Sequence, residues 1–105
     1  MAIEGFSDGA SYALSVGLAN GDLFTHVIAF SAGFVAPARW RGKPRIFVTH
    51  GVHDSVLPIS STSRRIVRQL RSDRYDVSYR EFDGAHAVPE DLAEEAVRWF
   101  VGGPG

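Results

Sequence analysis

The segment Gly5-Phe6-Ser7-Asp8-Gly9 decides the fold, because Gly-x-Ser-x-Gly is the pattern of a sharp turn between a β-strand and an α-helix. Such a turn exposes its serine at the carboxyl edge of a sheet. We expect both glycines to be required, since a Cβ at either position would collide with the neighbouring strand or helix. The pattern is short, so it gains weight only from the residues that follow it in the chain.

Apolar runs and helical patterns alternate along the chain after this turn. Short apolar runs predict β-strands, at Ala2–Phe6, His26–Ser31, Arg45–His50 and Val77–Phe82. Helical periodicity predicts three helices, of which the first runs from Asp8 to about Leu18. The second begins at Pro58, and its apolar face consists of Ile59, Ile66, Val67 and Leu70. The third runs from Pro89 to Gly102-Gly103-Pro104, and its apolar face consists of Leu92, Ala96, Val97 and Phe100. Because strands and helices alternate, we expect a single α/β domain over residues 1–105, with a mostly parallel sheet of about four strands and flanking helices.

Composition and charge are those of an ordinary globular domain. The chain has 105 residues, of which 45% are hydrophobic and 22% are charged, and its net charge of −1 gives no global attraction to nucleic acid or to an anionic membrane. It contains no cysteine, which excludes disulfides and thiolate metal sites. The first residues lack the features of a signal peptide and no apolar run is long enough to span a bilayer, so we expect a cytoplasmic location.

Three residues that could act together follow three different predicted strands. Ser7 follows the first strand, Asp54 follows the strand Arg45–His50, and His86 follows the strand Val77–Phe82. The loops after parallel strands meet at one edge of the sheet, so the three side chains can converge there. A serine nucleophile needs a base to take its proton and an acid to orient that base. The sequence therefore predicts a Ser7–Asp54–His86 set in the order Ser, Asp, His.

Each of these residues also has a simpler interpretation. Ser7 could cap the helix that it precedes, Asp54 could stabilise a turn, and His86 could be an ordinary loop histidine. Asp76 and Asp83 are rival acids. Asp83 lies three positions before His86 on the same loop, which makes it less able to approach the far side of the ring.

The remaining histidines and the arginines suggest two other hypotheses. His50 and His53 form a His-x-x-His pair that could bind zinc, but no third soft ligand accompanies them, so we expect no metal site. His26 begins a buried strand, and we expect a structural role for it. A cluster of arginines could bind nucleic acid or phosphate, although a solvated helix face is the simpler interpretation. The cluster consists of Arg64, Arg65, Arg68, Arg71 and Arg74.

Three segments carry a family resemblance: Gly5–Ala10, His50–Asp54 with Val56-Leu57-Pro58 after it, and Gly84–His86. With these segments the chain resembles the C-terminal half of an α/β-hydrolase of the phospholipase/carboxylesterase family, which includes esterases similar to acyl-protein thioesterases. The resemblance covers almost the whole chain. It implies a truncated α/β-hydrolase fold, because the strands that precede the serine turn in this family are absent.

The resemblance also implies roles for individual residues. Ser7 would be the nucleophile, Asp54 the acid, His86 the base, and the N–H of Asp8 one donor of the oxyanion hole. Such enzymes hydrolyse carboxylic esters or thioesters without a cofactor, so we expect a serine hydrolase of small acyl esters, with no nucleic-acid or membrane partner. The alternatives are a weak or inactive hydrolase fragment and a binding module that uses the arginine-rich helix. Since the edge of Ala2–Phe6 would be unpaired, we also expect a homo-oligomer formed through it.

Overall fold

Four β-strands form one parallel sheet in the computed structural model, which describes residues 1–102. They are β1 (Ala2–Phe6), β2 (His26–Phe30), β3 (Arg45–Gly51) and β4 (Val77–Phe82). Their order across the sheet is β1-β2-β3-β4, and each neighbouring pair is parallel. The predicted α/β fold with a mostly parallel sheet of about four strands is confirmed, and β1 and β4 are the two edges of that sheet.

Within residues 1–102, three α-helices pack against the two faces of the sheet. They are α1 (Asp8–Ala19), α2 (Ser63–Ser72) and α3 (Glu90–Val101). Because successive residues of a strand point to opposite faces, the central strands contribute to two separate apolar clusters. The larger cluster packs α1 and α2 on one face, and the smaller packs α3 on the other. The larger includes Leu14, Leu18, Val27, Val48, Ile66 and Leu70, and the smaller includes Ile28, Phe30, Phe47 and Ala96.

The prediction that Pro58 opens the second helix is wrong. Pro58 has extended backbone angles, with φ −55° and ψ 128°, and it precedes a short 3₁₀ turn over Ile59–Ser61. Thr62 then departs from helical geometry, with φ −122° and ψ −101°, so that α2 begins only at Ser63. Ile59 is buried as expected, but from this separate turn.

The predicted apolar face of the last helix is also partly wrong. Ala96 is buried and Trp99 packs beside it, whereas Val97 is 58% exposed and Phe100 is 37% exposed. These two side chains border an open groove between α3 and the β1 side of the sheet. They are exposed because nothing in residues 1–102 covers this groove.

The ends of the elements need small corrections. β2 ends at Phe30, one residue earlier than predicted, because Ser31 adopts a positive φ of 58°. The last helix ends at Val101 with Gly102 after it, and the predicted stop at Gly103 and Pro104 lies outside the described residues. Among residues 1–102, no helix is long and apolar enough to cross a membrane.

Candidate active site

Ser7 forms the tight turn between β1 and α1. Its backbone has φ 61° and ψ −122°, a conformation that side-chain-bearing residues rarely adopt and that is found most often at functional sites. The Ser7 N–H donates to the Phe30 carbonyl over 2.9 Å, which ties the turn to the end of β2. The Ser7 hydroxyl makes no capping hydrogen bond to α1. Ser7 therefore stands at the N-cap position of α1, but its hydroxyl does not cap the helix.

The two glycines of the turn differ in their surroundings. A Cβ on Gly5 would overlap the carbonyl group of Gly9 and crowd the N–H of Ala10, so the first turn of α1 can approach β1 only over a glycine. A Cβ on Gly9 would meet no atom within 4 Å. The expectation that both glycines prevent a collision holds for Gly5 and is wrong for Gly9, which faces open space.

Asp54 lies in the loop after β3, and its carboxylate is fully buried. One oxygen, Oδ1, accepts hydrogen bonds from the N–H groups of Val56 at 2.9 Å and Leu57 at 2.7 Å. Burial raises the pKa of the Asp54 carboxyl, but the hydrogen bonds from the Leu57 N–H, from His86 and from the Val56 N–H outweigh burial, and the pKa lies below its usual value. Asp54 is therefore an anion at neutral pH.

His86 lies in the loop after β4 and connects the other two residues. Its Nδ1 is 2.6 Å from Asp54 Oδ2, and its Nε2 is 2.9 Å from Ser7 Oγ. The anionic Asp54 can only accept, so Nδ1 carries the proton and Nε2 of a neutral ring is free to accept the Ser7 hydroxyl proton. The structure thus brings Ser7, His86 and Asp54 into one line of hydrogen bonds, while their catalytic roles stay a prediction.

Contacts between the loops hold this arrangement together. The N–H of Val52 donates to the Phe82 carbonyl at 3.0 Å and the N–H of His53 donates to the Gly84 carbonyl at 2.9 Å, so the loops that carry Asp54 and His86 are hydrogen-bonded to each other. Phe6 also packs against the His86 ring, with 4.8 Å between ring centroids. Sequence reasoning missed this contact, although the position of Phe6 directly before Ser7 was a signal for it.

The rival acids bind other partners. Asp83 Oδ1 is 2.8 Å from His53 Nε2 at the exposed surface, and Asp76 Oδ2 is 3.0 Å from Arg45 Nε. Neither carboxylate reaches the His86 ring, and the geometry favours Asp54 as the acid.

His50 and His53 lie in different surroundings. His50 is fully buried, with Ser63 Oγ and the carbonyl of Leu57 beside its ring nitrogens, whereas the side chain of His53 is exposed. Within residues 1–102, no group of three His, Cys, Asp or Glu residues could hold a metal ion. Sequence reasoning also missed the close approach of His50 to Asp54. The sequence signal for it is that the two residues are four positions apart.

The backbone N–H of Asp8 is the expected donor of the oxyanion hole. Asp8 is the first residue of α1, where a backbone N–H has no carbonyl partner one turn earlier, so this donor is available beside Ser7.

Two residues of the arginine-rich helix have partners within the fold. Arg64 Nε donates to Glu81 at 2.7 Å, and Arg71 donates to the Val77 carbonyl at 3.2 Å. A nucleic-acid role for this helix stays an untested alternative.

Known proteins match this chain over nearly its whole length. A model of the phospholipase/carboxylesterase family matches residues 1–99. The solved structure of esterase PE8 is 29% identical, with a TM-score of 0.86, and the match covers 96% of this chain and 49% of that one. A comparison with curated protein sequences gave no match.

More distant structures share the fold. The Bacillus cereus carboxylesterase has 17% identity and a TM-score of 0.79, over 97% of this chain and 49% of its own. Zea mays acyl-protein thioesterase 2 has 16% identity and a TM-score of 0.78, over 97% of this chain and 55% of its own. The chain therefore has the α/β-hydrolase fold and spans about half the length of these structures.

Proposed function

Since this chain belongs to the phospholipase/carboxylesterase family, we propose that it is a serine hydrolase of small carboxylic esters, with Ser7 as nucleophile, His86 as base and Asp54 as acid. One observation carries the proposal: His86 lies 2.9 Å from Ser7 Oγ and 2.6 Å from Asp54 Oδ2, on opposite ring nitrogens. This is the geometry that activates a serine hydroxyl.

The proposed reaction runs through an acyl-enzyme. The Ser7 hydroxyl oxygen attacks the ester carbonyl carbon while its proton passes to His86 Nε2. The resulting tetrahedral intermediate collapses, and the alcohol leaves with the proton held by His86. A water molecule then gives a proton to His86 while its oxygen attacks the acyl carbon. The second tetrahedral intermediate collapses with cleavage of the bond between Ser7 Oγ and the acyl carbon, which releases the acid, and His86 returns the proton to Ser7 Oγ. Asp54 stays ionised and stabilises the imidazolium at both steps.

The oxyanion of the tetrahedral intermediate would have one donor from this turn, the N–H of Asp8. Losing a second donor typically lowers the rate by about 10²–10³-fold. Because the chain spans about half the length of the esterase PE8 structure, we expect slow turnover by the isolated chain. A weak or inactive hydrolase fragment remains the alternative. The proposal includes a cytoplasmic location and requires no cofactor.

Labelling of Ser7 tests the proposal. The chain is treated with a fluorophosphonate probe, and hydrolysis of short p-nitrophenyl esters is followed in parallel. We expect covalent labelling of Ser7, with label and hydrolysis both lost in Ser7→Ala. Ser55→Ala, a change of an exposed serine on the Asp54 loop, is the matched control and should behave like the wild type.

The outcomes separate the alternatives. Hydrolysis that survives Ser7→Ala, or a label on another residue, contradicts the assignment of the nucleophile. Labelling of Ser7 without ester turnover indicates an activated serine in an incomplete site. Absence of both, in a folded chain, favours an inactive fragment, and nucleic-acid binding that weakens with salt would favour the arginine-rich helix as the functional element.

A further inference from the structure

His50 is a fully buried, titratable side chain that the proposed reaction does not use. It lies near the carboxyl end of β3, and none of its surface is exposed. Burying a polar ring is costly unless its nitrogens find hydrogen-bond partners, so those partners indicate what the residue does.

The partners of His50 define its tautomer. Its Nε2 is 2.7 Å from the Leu57 carbonyl oxygen and 3.3 Å from Asp54 Oδ2. Both atoms are acceptors when Asp54 is ionised, so Nε2 carries a proton and donates it. On the other side of the ring, Nδ1 is 2.5 Å from Ser63 Oγ. In the neutral ring Nδ1 accepts the Ser63 hydroxyl proton, and both nitrogens are then satisfied.

These contacts hold the Leu57 residue from two sides. Its carbonyl accepts from His50, while its N–H donates to Asp54 Oδ1 over 2.7 Å. Ser63 is the first residue of α2 and is fully buried, so the ring is anchored to a helix as well as to β3. His50, Leu57 and Asp54 are therefore each in contact with the other two, and the loop that they form is held between β3 and α2.

We infer that His50 is a positioning residue for Asp54, which fixes the loop 54–57 through its Nε2–H and so keeps the Asp54 carboxylate aimed at His86. Only the final link, from the loop to the reactivity of Ser7, rests on the proposed function. The anchoring of the loop stands on the contacts of His50 alone.

A pair of variants separates the N–H donor from the volume of the ring. His50→Gln keeps an N–H donor at about the reach of Nε2, whereas His50→Leu has a similar size and no donor. The readout is amide hydrogen exchange at Val56 and Leu57, compared with the buried Val48 of β3, which reports global opening. We expect Leu57 to exchange at least about tenfold faster in His50→Leu than in His50→Gln, as for one lost hydrogen bond, with Val48 equal in the two variants.

The second readout is the rate at which the fluorophosphonate labels Ser7. We expect His50→Gln to label close to the wild-type rate and His50→Leu roughly tenfold more slowly. Equal Leu57 exchange in the two variants would overturn the inference. Unequal exchange with equal labelling would show that the anchored loop does not govern Ser7. If the wild type itself does not label, the proposed function fails, and the exchange data still decide whether His50 anchors the loop.

A second pair covers the case in which His50→Leu does not fold. Ser63→Ala removes the donor to His50 Nδ1, whereas Ser61→Ala removes an exposed hydroxyl that donates to the Pro58 carbonyl at 3.2 Å. We expect several-fold faster Leu57 exchange in Ser63→Ala and no change in Ser61→Ala. Identical exchange in these two variants would also overturn the inference.

Discussion

The two edges of the sheet are built differently. Along β4, Arg80 pairs with Glu95 at 2.8 Å and Glu81 pairs with Arg64, so charged side chains line the edge. Along β1, the sequence is Ala2-Ile3-Glu4-Gly5-Phe6, with a single charged residue. Charges on an edge strand discourage pairing with another chain. We therefore expect the β4 edge to be protected against association and the β1 edge to be unprotected.

The two faces beside β1 also differ. One face is covered by α1, whose Leu14 and Leu18 are completely buried, and the other borders the open groove beside Val97 and Phe100. The line of hydrogen bonds from Ser7 to Asp54 is complete even so, because it needs only the loops after β1, β3 and β4. The described residues thus bring Ser7, His86 and Asp54 together even though one face beside β1 borders an open groove.

The largest effect should come from the face that α1 covers. Truncating the buried Leu14 to Ala removes apolar contacts and leaves a cavity, which typically lowers the free energy of unfolding by about 2–5 kcal/mol. Val97→Ala, on the open face, should change it by less than about 0.5 kcal/mol, because Val97 is 58% exposed. Urea denaturation followed by circular dichroism measures both values. Similar losses in the two variants would mean that the groove beside Val97 is covered in solution.

Sequence reasoning predicted what depends on order along the chain. The alternation of strands and helices gave the parallel sheet, and that sheet dictates that the loops of Ser7, Asp54 and His86 share one edge. Sequence reasoning failed where contacts between distant parts of the chain determine the surroundings of a residue. Gly9 faces open space, and Val97 is exposed. The buried contacts of His50 were missed because a buried histidine and a zinc ligand share the same local pattern. Only the contacts with Leu57 and Ser63, from a later loop and helix, distinguish them.

The next effect concerns the unprotected edge, and we propose that two copies of the chain pair through β1. The Met1 carbonyl and the Ser7 N–H bond towards β2, so the alternation of a strand turns the N–H groups of Ala2, Glu4 and Phe6 outwards. Pairing would satisfy these groups and cover the adjacent groove. We expect a dimer or larger oligomer at micromolar concentration, measured by size-exclusion chromatography with light scattering.

A substitution at Glu4 tests the route of association. Glu4→Pro removes an outward N–H without removing a bond to β2, and proline is tolerated on a strand edge in that position. We expect this variant to be monomeric and folded, whereas the control Glu4→Ala keeps the N–H and still associates. A wild type that elutes as a folded monomer would refute pairing through β1.

The smallest effect belongs to the protected edge and depends on pH. Arg64 makes two hydrogen bonds to Glu81, at 2.7 and 2.9 Å, and Tyr79 donates a third, at 2.8 Å. The hydrogen bond from Arg64 is the main cause that lowers the pKa of Glu81 from 4.5 to about 2. Burial and the hydrogen bond to Glu81 raise the pKa of the Tyr79 hydroxyl, which therefore stays protonated and continues to donate.

A carboxyl whose pKa is lower in the folded state stabilises the fold above its unfolded pKa, and that contribution disappears as the pH falls through the folded pKa. Glu81→Gln should therefore unfold a few degrees below the wild type at pH 7, and the gap should narrow between pH 4.5 and about 2. Glu94→Gln, which removes an exposed carboxylate on α3, controls for the change in net charge. The effect should be modest because the side chains of Arg64 and Glu81 are 43% and 30% exposed, and solvent screens such pairs. Thermal unfolding across this pH range decides it: a gap that does not narrow towards pH 2 would mean that the β4 edge draws no stability from the ionised Glu81.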